Sequence, residues 1–120
     1  MNDFFLWGTY AFFEVIEGNK NYASYVNMKS ATTIFNIAEL NYNLKKEMSS
    51  KQADGYTKKY SSFLVNIEFD DIINASNLKT LNRKLSIPDC IGYVVANRIG
   101  AKFLTGDEGF RNMKNVEFVK

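Results

Sequence analysis

The segment from Ser86 to Thr105 constrains this chain more than any other. Ser86-Ile87-Pro88-Asp89 reads as a helix start, with proline early in the first turn and a hydroxyl three residues before a carboxylate, the spacing of a capping box. Ile91, Val94, Val95 and Ile99 then recur at helical spacing. Gly92 and Ala96 are small and four apart, which permits close packing, and Gly100 supplies the stop. Lys102-Phe103-Leu104-Thr105 follows as a strand and Gly106-Asp107-Glu108-Gly109 as a turn. A helix that runs directly into a short apolar strand is one half of a crossover unit, and such units build parallel sheets covered by helices.

The remainder repeats that grammar. Phe4-Phe5-Leu6-Trp7 is continuously apolar, as expected of a strand buried on both faces, and Gly8-Thr9 breaks it. Phe12, Phe13 and Ile16 predict a helix from Tyr10 to a stop at Gly18-Asn19, and Tyr22 to Met28 reads as a second short helix. Ala31-Thr32-Thr33 is a candidate strand. Thr32 or Thr33 can cap a helix over 34–48 whose core stripe would be Ile34, Ile37, Ala38 and Leu44. A lysine-rich helix over 51–60, a strand at Leu64-Val65-Asn66-Ile67, and a helix over 70–84 with Ile72, Ile73, Leu78 and Leu81 inward complete the middle. Val116-Glu117-Phe118-Val119 reads as the last strand. The expectation is a single domain over residues 1–120, a three-layer α/β/α fold with a central, mainly parallel sheet of four to five strands.

Composition then restricts the chemistry. The 120 residues include no histidine and one cysteine, Cys90. A Ser-His-Asp triad, a Cys-His pair, a His-ligated zinc and a four-thiolate zinc are therefore excluded. Chemistry must run on the thirteen carboxylates, most naturally through an oxygen-preferring cation such as Mg²⁺ or Mn²⁺. A lone cysteine makes no internal disulfide, so a cytoplasmic, reducing setting is the expectation. Met1-Asn2-Asp3 lacks the positive charge of a secretory signal, and no apolar run reaches the roughly eighteen residues of a membrane span, so no membrane association is expected. The net charge of +2 excludes a strongly electrostatic coat while allowing a local basic patch.

Ligands of open parallel sheets bind outside the carboxyl ends of the strands, which directs attention to Gly8, Glu39, Asp89 and Asp107. Singly, each acid has an ordinary explanation: Glu39 as a solvated helix residue, Asp89 as a capping-box member, Asp107 as a turn aspartate bonding its own backbone. Together, the stretch from Leu85 to Phe110 resembles the carboxyl-terminal half of a PIN domain of the VapC toxin type, where an Asp opens a helix, Gly-Ala leads into an apolar strand, and a Thr-x-Asp turn is followed by Phe. Glu39, in Thr33-Ile34-Phe35-Asn36-Ile37-Ala38-Glu39-Leu40, is similar to that family's glutamate before leucine, and Gly18-Asn19 resembles archaeal members.

The resemblance implies a metal-dependent endoribonuclease with Glu39, Asp89 and Asp107 as catalytic residues holding Mg²⁺ or Mn²⁺, and with a metal-bound water attacking the RNA phosphodiester. It implies Thr9 and Thr105 as hydrogen-bonding supports of the carboxylates, a homodimer, and a small antitoxin as protein partner. Tyr22, Tyr25, Tyr42, Tyr56 and Tyr60 are the candidate interface rings. Lys45-Lys46, Lys58-Lys59, and Lys79 with Arg83 and Lys84 are ordinary solvated faces or, for Lys45 and Lys46, a guide for RNA; Arg98 and Arg111 are further candidates.

One departure matters. Gly8 stands where the family carries its first acid, which removes one oxygen anchor from the cation. A detoxified variant, a natural non-cutting member and a natural weak enzyme all agree with that glycine. The rival of a different class is a non-catalytic PIN-like module that binds an antitoxin, RNA or another protein. A phosphoacceptor receiver fits poorly, because it needs paired acids after the first strand, where this chain has Gly8-Thr9. On the sequence alone, Gly8→Asp should raise Mn²⁺-dependent cleavage of single-stranded RNA by a large factor, measured on a labelled oligonucleotide.

Overall fold

A computed structural model of the chain describes residues 3–120; the Met1-Asn2 portion of the amino terminus lies outside them. Four parallel strands form one sheet in the order β2-β1-β3-β4: β1 Phe4–Trp7, β2 Lys29–Ala31, β3 Lys102–Thr105 and β4 Val116–Phe118. The expected fold class is therefore present with four strands. β1 is central because its run has no polar residue to offer solvent, and Leu6 and Trp7 are essentially inaccessible. Phe5, Trp7 and Leu104 face one helical layer, while Leu6 and Phe103 face the other. The strand alternation thus feeds two apolar cores.

The first core is closed by α1 (Thr9–Ile16), α2 (Ile34–Glu47) and α3 (Ser50–Lys59), and the second by α4 (Phe69–Leu81) and α5 (Ile87–Ile99). Local chemistry sets most boundaries. The Thr33 hydroxyl caps α2 by accepting the Asn36 N–H, Ser49 and Gln52 form a reciprocal capping box on α3, and Gly100 ends α5 with φ at +78°, where a side chain would be strained. Ser86 caps α5 by accepting the Asp89 N–H at 3.2 Å. The Asp89 carboxylate is turned elsewhere, toward the strand ends.

Several sequence expectations are corrected. Residues 64–67 do not make a fifth strand; Leu64 forms a single bridge with Thr32, and the chain then turns away into α4. Residues 20–27 form a 3-10 helix instead of an α-helix. In α2 the inward positions are Asn36, Leu40 and Leu44, whereas Ile34 and Ala38 point outward. Leu44 and the partly buried Ile37 of the expected stripe do face the core, and Asn36 and Leu40 complete that face because Asn36 is bonded inside the protein. On α4, Ala75 and the partly buried Ile72 and Leu78 make the contact; Ile73 and Leu81 are exposed.

An ion pair adds to the apolar contact between α4 and α5. The Arg98 guanidinium reaches Asp71 at 2.9–3.1 Å and also donates to the Asn66 carbonyl. Burial alone would raise the Asp71 carboxyl, but the Arg98 hydrogen bonds and charge and the Glu68 N–H outweigh it and hold the group below its ordinary range. Arg98 therefore has a structural job, which takes it out of the candidate substrate contacts. Arg98→Met should leave Asp71 buried and uncompensated and cost about 2 kcal/mol, read from denaturant unfolding.

Candidate active site

The strand order places the reversal of winding between β1 and β3, since β1 is followed by its neighbour on one side and all later strands lie on the other. Gly8 sits at that point, and its N–H donates to the Leu104 carbonyl at 3.1 Å. The segments that leave or approach the strand ends there carry Thr9, Asn36, Glu39, Asp89, Thr105 and Asp107.

Thr9 contacts two of the acids. Its hydroxyl donates to Glu39 Oε1 at 2.6 Å, and its backbone N–H, at the first turn of α1, is near enough to the Asp89 carboxyl to favour the charged form. Glu39 is half-buried and engaged, so the solvated reading of that residue does not describe it. Asp89 is buried, with 6% of its surface accessible. Asn36 Nδ2 lies 3.4 Å from Asp89 Oδ1 and is oriented by the Thr33 hydroxyl, which donates to Asn36 Oδ1 at 2.7 Å. Asp107 keeps its turn role: Oδ1 accepts the Gly109 N–H at 2.9 Å, and Thr105 Oγ1 accepts the Asp107 N–H at 3.1 Å. Thr105 therefore supports the backbone of Asp107, whereas Thr9 supports carboxylates directly.

Burial is the main reason the Asp89 carboxyl is pushed up to about 7; the charges of Glu39 and then Asp107 add to it. The Thr9 N–H and the Ser86 hydroxyl pull the other way without cancelling these effects. The three acids thus share one electrostatic site. They do not form a finished cation cage: among the described residues, no three side chains of the histidine, cysteine, aspartate or glutamate type are grouped so as to hold a metal ion. Glu39 and Asp107 each have one oxygen engaged by an internal donor, Thr9 and the Gly109 N–H, which orients the carboxylate and leaves its second oxygen for another partner.

Asn36 is the site residue that sequence reasoning missed. Its signal was present in Thr33-x-x-Asn36, where the capping hydroxyl meets the side chain three residues on. The lysines are elsewhere. Lys45 pairs with Asp54 at 3.2 Å in the last turn of α2, about 9 Å along the axis from Glu39. Lys79 spends its donors on the Arg83 and Leu85 carbonyls. Basic groups near Asp107 are Arg111 and Lys120, both paired with Glu108 at 2.7–2.9 Å. Of the candidate interface tyrosines, Tyr22 and Tyr60 are buried and Tyr25 bonds Glu117. Tyr42 and Tyr56 alone among these five remain at the exposed surface.

No protein-family model and no curated protein matches the sequence. Solved structures do match the fold. The chain is similar to a chain of the DNA-bound VapBC structure from Salmonella typhimurium (TM-score 0.73, 15% identity, covering 99% of this chain and 98% of that one). It is similar to a chain of VapBC2 from Rickettsia felis bound to a promoter DNA fragment (0.72, 17%, 97% of each). It is also similar to a chain of a toxin-antitoxin complex from Klebsiella pneumoniae (0.71, 18%, 92% and 93%). The four-stranded parallel sheet flanked by helices is the PIN-like arrangement of these neighbours.

A carboxyl raised from 3.8 to about 7 stabilises the fold fully below pH 4, and that contribution is lost as pH rises toward 7. In metal-free buffer the melting temperature should fall between pH 5 and pH 8, and Asp89→Asn should flatten that slope and melt higher than the parent at pH 8.

Proposed function

We propose that this chain is a ribonuclease module of the toxin-antitoxin type whose catalytic site is weakened, with a divalent cation, Mg²⁺ or Mn²⁺, as the cofactor of its residual activity. The observation that carries the reading is the buried Asp89 at the β1/β3 junction, with Glu39 and Asp107 near enough for their charges to act on its carboxyl. With no histidine in the chain and its one thiol, Cys90, buried, those carboxylates and the hydroxyl of Thr9 are its available reactive set. The PIN-like fold, shared over nearly the full length with chains of toxin-antitoxin complexes, supports both the ribonuclease activity and an antitoxin as partner.

The chain's own residues have definable tasks in this reading. Thr9 fixes the Glu39 carboxylate and offers its N–H to Asp89, Asn36 limits the rotation of Asp89, and the Thr105–Asp107 turn sets the third acid at the rim. Arg111 and Lys120, at the same rim, are the cations available to an RNA backbone once Glu108 releases them. The proposed setting is a reducing one, in keeping with the buried, unpaired Cys90. Among the described residues, no helix is long and apolar enough to cross a membrane.

A specific observation favours a second reading, a binding module without catalysis: the three acids stop short of a cation-holding group, and position 8 adds no fourth. Cleavage of single-stranded RNA at millimolar Mn²⁺ separates the two. The ribonuclease reading expects slow cleavage that EDTA abolishes and that Asp89→Asn lowers at least about tenfold, the scale of removing one group from a concerted site. Cleavage indistinguishable between the parent and Asp89→Asn would leave the binding module. The same proposal includes a homodimer, so the mass in solution at micromolar concentration should be twice that of the chain.

A further inference from the structure

We propose that Phe103 and Gly8 are a matched pair that closes the pocket beside Asp89 to any side chain from position 8, so that the glycine is built into this core. Gly8 has φ −76° and ψ 172°, extended backbone that any residue adopts, so its conformation does not require glycine. Space does. A Cβ at position 8 would lie 2.7 Å from Phe103 Cζ, 3.2 Å from Phe103 Cε1 and 3.3 Å from Asp89 Oδ1. The first of these is shorter than any packing arrangement tolerates, and all three show that a side chain there would enter the acidic pocket.

The ring has little freedom to give way. Phe103 has no accessible surface, and Phe110 and Tyr93 stand against it at centroid distances of 4.9 and 6.2 Å. On the α5 side the ring meets a second glycine: a Cβ on Gly92 would lie 2.9 Å from Phe103 Cε1 and 2.8 Å from Asn36 Oδ1. Phe103 therefore lies against two glycines, Gly8 after β1 and Gly92 in α5, both of which approach its Cε1. Close-packed interiors transmit such overlaps as strain instead of absorbing them. Leucine, which ends at its Cδ atoms, lacks both ring atoms that would meet the position 8 Cβ.

If the pair holds, Gly8→Asp alone does not place an acid beside Asp89 without displacing the ring, so the cleavage gain expected from the sequence requires a change at Phe103 as well. A silent Gly8→Asp variant says nothing against ribonuclease chemistry. In its bearing on a cation the inference rests on the ribonuclease reading; in its steric part it stands alone.

The steric part is tested by melting temperatures of the parent, Gly8→Ala, Phe103→Leu and the double variant. Gly8→Ala should lower the melting temperature by about 5 °C or more in the parent and by less than half as much in the Phe103→Leu background. Equal shifts in both backgrounds would overturn the pairing. The cap penalty of alanine over glycine is common to both arms and cancels. The cation part is tested by calorimetric Mn²⁺ binding: Gly8→Asp/Phe103→Leu should bind at least tenfold tighter than Gly8→Asp alone, and equal affinities would overturn it. Should Gly8→Asp fail to fold while the double variant folds, the pairing is supported directly. A double variant that binds Mn²⁺ tightly yet leaves RNA intact would remove the ribonuclease reading and keep the pair. A Gly8→Asp variant that melts like the parent and cleaves RNA as fast as the double would keep the ribonuclease and remove the pair.

Discussion

A buried carboxylate at the junction of β1 and β3 is the constraint around which this protein is arranged. Removing Asp89 from water is costly, and the fold meets that cost with a helix-terminal N–H from Thr9, the Asn36 amide and the Ser86 hydroxyl. Each of those donors is in turn positioned by a separate decision of the chain: α1 begins directly after Gly8, Thr33 caps α2 and orients Asn36, and Ser86 caps α5. Three helix starts therefore meet at one edge of the sheet. Their convergence makes a polar pocket in a region otherwise walled by Leu6, Trp7 and Phe103.

The same arrangement explains why the site is electrostatically strained yet not assembled for a cation. Glu39 and Asp107 raise the cost of ionising Asp89, and each has one oxygen engaged by an internal donor. Phe103 takes up the space beside Asp89 that a side chain at position 8 would need. A pocket with this much negative character and no counter-charge within it remains a place where a cation or a proton is favoured. The apolar ring beside it keeps that pocket small.

How much of this could be read in advance differs by element. Helix α5 and strand β3 were legible because their signals are local: Ser86, Pro88 and Gly100 mark the ends, and Ile91, Val95, Phe103 and Leu104 are buried apolar residues of the two elements. The middle of the chain was less so. Leu64 to Ile67 has strand composition, but a strand needs a partner of matching length, and β2 offers only the Thr32 bridge. The stripe on α2 was half legible: Ile37 and Leu44 face the core, but Asn36 was passed over because a buried asparagine reads as polar until its partners are known. Ile73 and Leu81 are apolar residues on the outer face of α4, where hydrophobicity alone does not report which side meets the protein.

The sequence by itself determined the parallel α/β class, the absence of histidine chemistry, and the small set of acids placed after strands, because strand length, helix caps and residue inventory are properties of the chain. Only the tertiary structure decided that Asp89 is buried and raised while Asp107 remains a turn residue, that Thr9 serves two acids, and that Asn36 belongs with them. It also decided the meaning of Gly8. A glycine in a sequence is a missing side chain; the ring of Phe103, brought there from ninety-five positions away by the β1/β3 pairing, makes it an occupied space. Distances of that kind follow from packing in three dimensions, which no local pattern encodes.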